Sequence, residues 1–127
     1  MSRPYAMPAA KKPKLTPAPP DLVTLFDHLL KKTSEAQTRK MFGYPAAFVN
    51  GNMFAGLFQD TMVFRLSEPD RANFLKQKNA KQFEPMPGRP MKEYVALKYA
   101  ILASVKELEV WIIRAKEHAK TLPPKKK

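Results

Sequence analysis

The 127-residue chain contains no cysteine, only four glycines and a single tryptophan. Without cysteine it has no disulfide, no thiolate metal ligand and no cysteine nucleophile. Its glycines are too widely separated to form the glycine-rich loop that cradles a nucleotide phosphate. No apolar run approaches the roughly 20 residues of a membrane-spanning helix, and no apolar segment of a signal peptide follows the first basic residues. We therefore expect a soluble, intracellular protein.

Acidic side chains are scarce, with 11 against 23 lysines and arginines, and the formal net charge is +12. The two terminal segments, 1–20 and 121–127, contain no acid and hold seven of the cations. These seven are Arg3, Lys11, Lys12, Lys14, Lys125, Lys126 and Lys127. Residues 21–120 retain 16 basic and 11 acidic residues, so the basicity belongs mainly to the tails.

The terminal segments differ in composition from the rest of the chain. Residues 1–20 hold six prolines and almost nothing to bury, which predicts a disordered basic tail. Residues 21–122 have the length of one domain, and residues 123–127 form a second basic tail. The tail lysines could neutralise nucleic-acid phosphates or could simply be solvated. No aromatic residues that would stack on bases are interleaved with them. Contacts to phosphates alone carry no sequence information, so any such binding would tolerate many sequences.

Apolar spacing predicts three helices. The first begins with Asp21 as its N-cap and has an apolar face that runs to Leu30. Ser67 caps a second, short helix that runs through Phe74 and Leu75. Ser104 opens the third with a capping-box pattern, and that helix ends near residue 122.

Between these helices the sequence predicts β-structure, which begins at Arg39 and runs to Leu66 before the second helix. Asn50-Gly51 is a strong hairpin signal because both residues tolerate positive φ. Strands are predicted at residues 45–49, 53–58, 62–66 and 91–97, the third with alternation typical of a sheet that has one face packed. Helices and strands in this order predict an α+β fold in which helices cover one antiparallel sheet of about five strands.

Two blocks of residues resemble a known family. They are residues 40–43 (KMFG) with 47–55 (AFVNGNMFA), and residues 83–85 (FEP) with 88–95 (GRPMKEYV). Together they are similar to the N-terminal domain of the TfoX/Sxy family, and residues 111–123 extend the similarity, which covers roughly residues 21–124. The resemblance implies a secretion-chaperone-like α+β fold in a bacterial cytoplasmic protein. It also implies kinship to regulators of natural competence that act on transcription alongside the cyclic-AMP receptor protein.

Full-length regulators of this family carry a second, helical C-terminal domain. This chain stops where that domain would begin, so the resemblance implies a stand-alone N-terminal domain. The residues themselves suggest a non-enzymatic role, and the family resemblance implies a regulatory one. Both roles suit a module that binds another protein or itself.

Few residues suggest a catalytic or ligand-binding site. His28 and His118 lie on separate predicted helices, and no set of paired carboxylates is recognisable. Arg89, between Gly88 and Pro90, is the most interesting candidate. A guanidinium on a rigid loop could bind an anion or a partner's carboxylate, or it could form an internal salt bridge.

Other conspicuous residues have structural explanations. We expect glycine at 43, 51 and 88, together with Asn50, to serve turns, with Gly43 allowing a close backbone approach or a bulge. A set of methionines and phenylalanines could line a partner groove, but a core role is favoured. These are Met41, Met53, Met62, Phe42, Phe54, Phe58 and Phe64.

These patterns predict no enzyme, no cofactor, no metal site and no small-molecule substrate. The leading hypothesis is a regulatory or protein-interaction module that binds a protein partner or self-associates. The alternative is weakly specific nucleic-acid binding through Lys11, Lys12, Lys14, Lys125, Lys126 and Lys127.

Overall fold

The computed structural model describes residues 17–41, 43–84, 88, 91–98, 100 and 103–124. Within these ranges three helices and six strands follow one another along the chain. They are α1 (Pro20–Lys31), β1 (Gln37–Met41), β2 (Tyr44–Val49), β3 (Asn52–Phe58), β4 (Thr61–Arg65), α2 (Glu68–Phe74), β5 (Ala80–Gln82), β6 (Tyr94–Lys98) and α3 (Val105–Lys120). Among the described helices, none combines the length and apolar character that crossing a membrane requires.

The strands form one antiparallel sheet in the order β1-β2-β3-β4-β6-β5. The predicted α+β class with a single antiparallel sheet is confirmed. The described sheet has six strands where the sequence predicted about five, because β5 pairs with β6 at the far edge. β5 is only three residues long, and these exposed or half-exposed residues lack an apolar alternation, so the sequence pattern did not indicate it.

The helices cover one face of the sheet and form the main core with it. Side chains of α1 and α3 pack on the buried strand residues, and α2 contributes Phe74. An aromatic series links the layers: the Phe74 ring lies 5.5 Å from that of Phe64 and 5.1 Å from that of Trp111. Phe54, Met62 and Phe64 are fully buried, as a core role requires, whereas Met41 is exposed.

A β-bulge shapes the centre of the sheet. Ala47 pairs with Ala55 and Phe48 pairs with Met53, so β3 carries one extra residue, Phe54, at this point. Side chains alternate between faces along a regular strand, yet Phe54 and Ala55 both belong to the main core. The bulge therefore adds one more large side chain to the helix-covered face.

The opposite face of the sheet is also packed. Val63 and Ala96, which alternate with main-core residues of β4 and β6, form a second cluster with Phe83. The expectation that β4 buries one face only is therefore wrong, since Val63 is 1% exposed. Phe83 follows β5 and reaches back over this face, where its ring lies 5.5 Å from that of Phe58.

Some element ends differ from the sequence prediction. Helix α1 begins at Pro20, so Asp21 lies in its first turn, where its charge complements the helix dipole, and is not the N-cap. Strand β6 begins at Tyr94, later than predicted, because the preceding residues form a turn in which the Tyr94 N–H donates to the Met91 carbonyl. The capping interaction of α3 is present: the Glu107 N–H donates to Ser104 Oγ at 3.4 Å.

Positive φ values explain the residues at the tight turns. Asn50 and Gly51, with φ of 53° and 79°, form the two-residue turn between β2 and β3. Gly43, between β1 and β2, has a φ of 85° and Gly88 a φ of 79°. Its chain neighbours aside, no described atom lies within 4 Å of the position a Cβ would take at Gly43. Its backbone conformation, and not the close approach expected from sequence, therefore favours glycine there.

Candidate protein interface

Strand β1 is the outermost strand of the described sheet on its side and pairs with β2 alone among the described strands. All five of its residues are exposed. In an antiparallel pair, alternate residues direct their N–H and C=O groups away from the partner strand. The outer edge of β1 can therefore accept another extended segment by main-chain hydrogen bonding.

Two consecutive cations of β1 lie on opposite faces of the strand. The Arg39 guanidinium lies 4.7 Å from the centroid of the Phe48 ring, on the face away from the helices. Lys40, the next residue, is on the face toward α1 because side chains alternate along a strand, and it helps to line a groove that Arg39 also borders. The Lys40 ammonium forms no ion pair or side-chain hydrogen bond within the described part of the chain, although its backbone lies in the β1–β2 ladder.

The groove runs between α1 and β1 and has a volume of about 470 Å³. Val23, Phe26 and Leu30 give it an apolar wall, in which Val23 remains 36% exposed. Asp27 also lines the groove, and its carboxylate lies 3.5 Å from the Lys31 ammonium. An extended segment beside β1 would project alternate side chains into this groove.

The connection that leads into β1 is fixed by α3. Lys116 Nζ donates to both the carbonyl oxygen and the Oγ of Ser34, each at 3.1 Å. Lys120 Nζ lies 2.8 Å from Glu35 Oε1, and this hydrogen bond together with the charge of Lys120 lowers the pKa of the Glu35 carboxyl below its usual value. Glu35 has a φ of 69°, so the chain turns sharply at this point before β1.

A second charged cluster joins β4 to the start of β6. Arg65 Nε donates to Glu93 Oε1 at 2.7 Å, and this hydrogen bond is the main reason that the pKa of Glu93 is lowered. The same guanidinium lies 5.5 Å from the centroid of the Tyr94 ring, and burial raises the pKa of Tyr94. His118 Nε2 is 3.7 Å from Glu93 Oε1. Because Arg65 is already bonded to this carboxylate, we interpret the cluster as an internal contact that links β4 to the start of β6.

Most of the predicted contact residues lie outside the part of the chain that the structure describes. Arg89 and the tail lysines Lys11, Lys12, Lys14, Lys125, Lys126 and Lys127 lie outside the described residues. His28 is exposed on α1, apart from the Glu93 cluster that His118 joins. In the described part of the chain, no group of three or more His, Asp or Glu side chains is placed to hold a metal ion.

Sequence reasoning missed Arg39 and Lys40. Two signals were present: the cations are adjacent in a predicted strand region, and no acid occurs between residues 36 and 59. Their significance depends on β1 lying at the sheet edge, which the order of strand pairing decides and local sequence does not.

The architecture defines a small α+β domain whose single sheet carries helices on one face and whose edge strand β1 is exposed among the described residues. The model of the family described as the TfoX N-terminal domain matches residues 28–119, well over half of the chain. The chain therefore belongs to the TfoX N-terminal domain family, as its two sequence blocks indicated. A comparison with curated proteins finds no match to it.

Proposed function

We propose that this chain is a non-enzymatic, regulatory protein-interaction module that contacts its partner through the β1 edge. The observation that carries the proposal is the fully exposed edge strand beside an apolar groove. Such an edge offers main-chain hydrogen bonds for affinity, and the groove offers side-chain selectivity. Membership of the TfoX N-terminal domain family supports the general kind of module.

The non-catalytic part of the proposal rests on how the charged groups are used. Arg65 and Glu93 are paired with each other, and Lys116 is bonded to the Ser34 backbone. The three grooves described on this domain are largely open to solvent, unlike the enclosed pockets that surround most substrates. The family resemblance supports transcriptional regulation in a bacterial cytoplasm as the setting of the interaction.

Site-specific photo-crosslinking in the native host tests the interface. Benzoylphenylalanine placed at Thr38, which lines the groove, should yield a discrete protein adduct. The same group at Lys81, on the opposite edge strand β5, is the matched control and should yield much less. No adduct from Thr38, together with a monomer in light scattering, would contradict the proposed function.

Nucleic-acid binding is a second candidate function, favoured by the concentration of seven cations in the two terminal segments. If all seven contact duplex DNA, counterion release predicts a log–log salt slope of about −6. Fluorescence anisotropy should then show that changing the six tail lysines to glutamine reduces this slope to about −1. An unchanged slope in that full-length variant would show that the tail lysines do not contact the DNA.

A further inference from the structure

The two cations of β1 are positioned to select a particular pattern in an added strand. Arg39 and Lys40 are consecutive residues of β1, so their side chains start on opposite faces of the sheet, although Arg39 also borders the groove that Lys40 lines. Consecutive side chains of a strand paired with β1 also alternate between the two faces. Two adjacent acidic residues opposite this pair would therefore meet one cation on each face.

The surroundings of β1 favour an acidic occupant. No acid is present between residues 36 and 59, which include all of β1, β2 and β3. Asp27 is the acid that lines the groove, and its charge is offset by Lys31 at 3.5 Å. Lys40 is unpaired within the described residues, so an incoming carboxylate would not have to displace a described internal partner.

The groove adds an apolar requirement on one face. Residues two apart on a strand share a face, so a side chain two positions from the acid that meets Lys40 would lie over the α1 wall. Val23, which is the exposed apolar residue of that wall, would be covered by it. A branched apolar residue suits this position because it fits a pleated, half-buried surface.

We propose that the β1 edge binds an extended acidic segment of a partner protein, which adds to the sheet as a further strand. The segment carries two adjacent acidic residues opposite Arg39 and Lys40 and an apolar residue over the groove. This inference rests on the proposed function of the chain as a protein-interaction module. It adds the chemical class of the partner and the pattern that the edge recognises.

A second copy of the chain suits this edge poorly. Pairing of β1 with β1 of another molecule brings Arg39 and Lys40 of both copies to one junction. Like charges that face each other across strands destabilise the pairing, and cations on an edge strand are a known means of preventing edge-to-edge association. The same cations attract an acidic segment, so charge selects between the two occupants.

The test uses the full-length chain and a labelled ten-residue peptide in which two adjacent glutamates are flanked by alternating valine and threonine. Binding is measured by fluorescence anisotropy for the wild type, for the β1 variant Arg39→Glu/Lys40→Glu and for the control variant Lys76→Glu/Lys78→Glu. Both variants change the net charge equally, and Lys76 and Lys78 are exposed beyond α2. We expect roughly tenfold weaker binding for the β1 variant and less than about twofold for the control.

A charge-swapped peptide distinguishes the loss of a charge contact from a folding defect in the β1 variant. With two lysines in place of its glutamates, it should bind the β1 variant more tightly than the wild type, which an unfolded variant would not do. Equal weakening in the β1 and control variants would show a non-specific charge effect and overturn the proposal. Failure of the acidic peptide to saturate the wild type by about 1 mM would also overturn it.

The crosslinking experiment separates this inference from the proposed function. If Thr38 crosslinks a host protein while the peptide ignores the Arg39→Glu/Lys40→Glu change, the module proposal stands and the acidic segment is wrong. If Thr38 yields no adduct and the chain is monomeric, the proposed function itself fails. A dimer that is crosslinked through Thr38 and competes with the peptide would assign the edge to a second copy.

Discussion

Replacing Phe54 with alanine should lower the free energy of unfolding by about 3–5 kcal/mol. Phe54 is 0% exposed and is the extra residue of the β3 bulge, so its ring fills the centre of the helix-covered core. The pairing of Ala47 with Ala55 on one side and of Phe48 with Met53 on the other limits how far the strand can close a cavity. A loss of this size is a large share of the roughly 5–15 kcal/mol that stabilises a typical domain.

Urea unfolding followed by tryptophan fluorescence measures this effect. The single tryptophan, Trp111, packs edge-on against Phe74 and so reports on the same core. Met53→Ala is the matched control, because Met53 neighbours the bulge but is only half-buried; we expect it to cost about 1 kcal/mol. If Phe54→Ala cost less than that control, the bulge would not be a rigid part of the core.

Much of the fold could be predicted because its signals are local. The apolar stripe of α3, its Ser104 cap and the Asn50-Gly51 turn each depend on residues within a few positions of one another. Strand β5 lacked such a signal: three residues cannot show a period, and only their pairing with β6 makes them a strand. The burial of Val63 likewise depends on Phe83, which is distant in sequence.

The candidate interface was less predictable than the fold. Sequence indicated β-structure around Arg39 and Lys40, but the position of β1 at the edge follows from the whole strand order. The groove requires α1 to lie beside β1, which helical spacing alone does not specify. Arg89 was predicted as a contact residue because its neighbours Gly88 and Pro90 make the loop rigid, which is a local feature of the sequence. Whether a strand lies at an edge is instead a property of the assembled sheet.

Changing Lys116 to methionine should lower the free energy of unfolding by about 2 kcal/mol. Methionine preserves most of the aliphatic packing of the Lys116 side chain, which is 8% exposed. It removes the ammonium group, which donates two hydrogen bonds to Ser34. Ser34 is exposed, so water can reach its carbonyl and hydroxyl; the cost comes from losing the hydrogen bonds of a charged, largely buried donor, which contribute about 1.5–3 kcal/mol. Chemical denaturation of the two proteins under identical conditions measures the difference.

Lys120→Met is the matched control because Lys120 lies one helical turn further along α3 and pairs with Glu35 in a more exposed setting. Its effect on stability should be much smaller, since exposed ion pairs contribute little. Lys116→Met should also speed hydrogen exchange at the amides of β1 that bond to β2, while those of β4 change less. Equal exchange in β1 of both variants would contradict this role. Faster exchange in β1 alone would show that α3 holds the edge strand in place, and thus that the proposed interface depends on a lysine that does not itself line it.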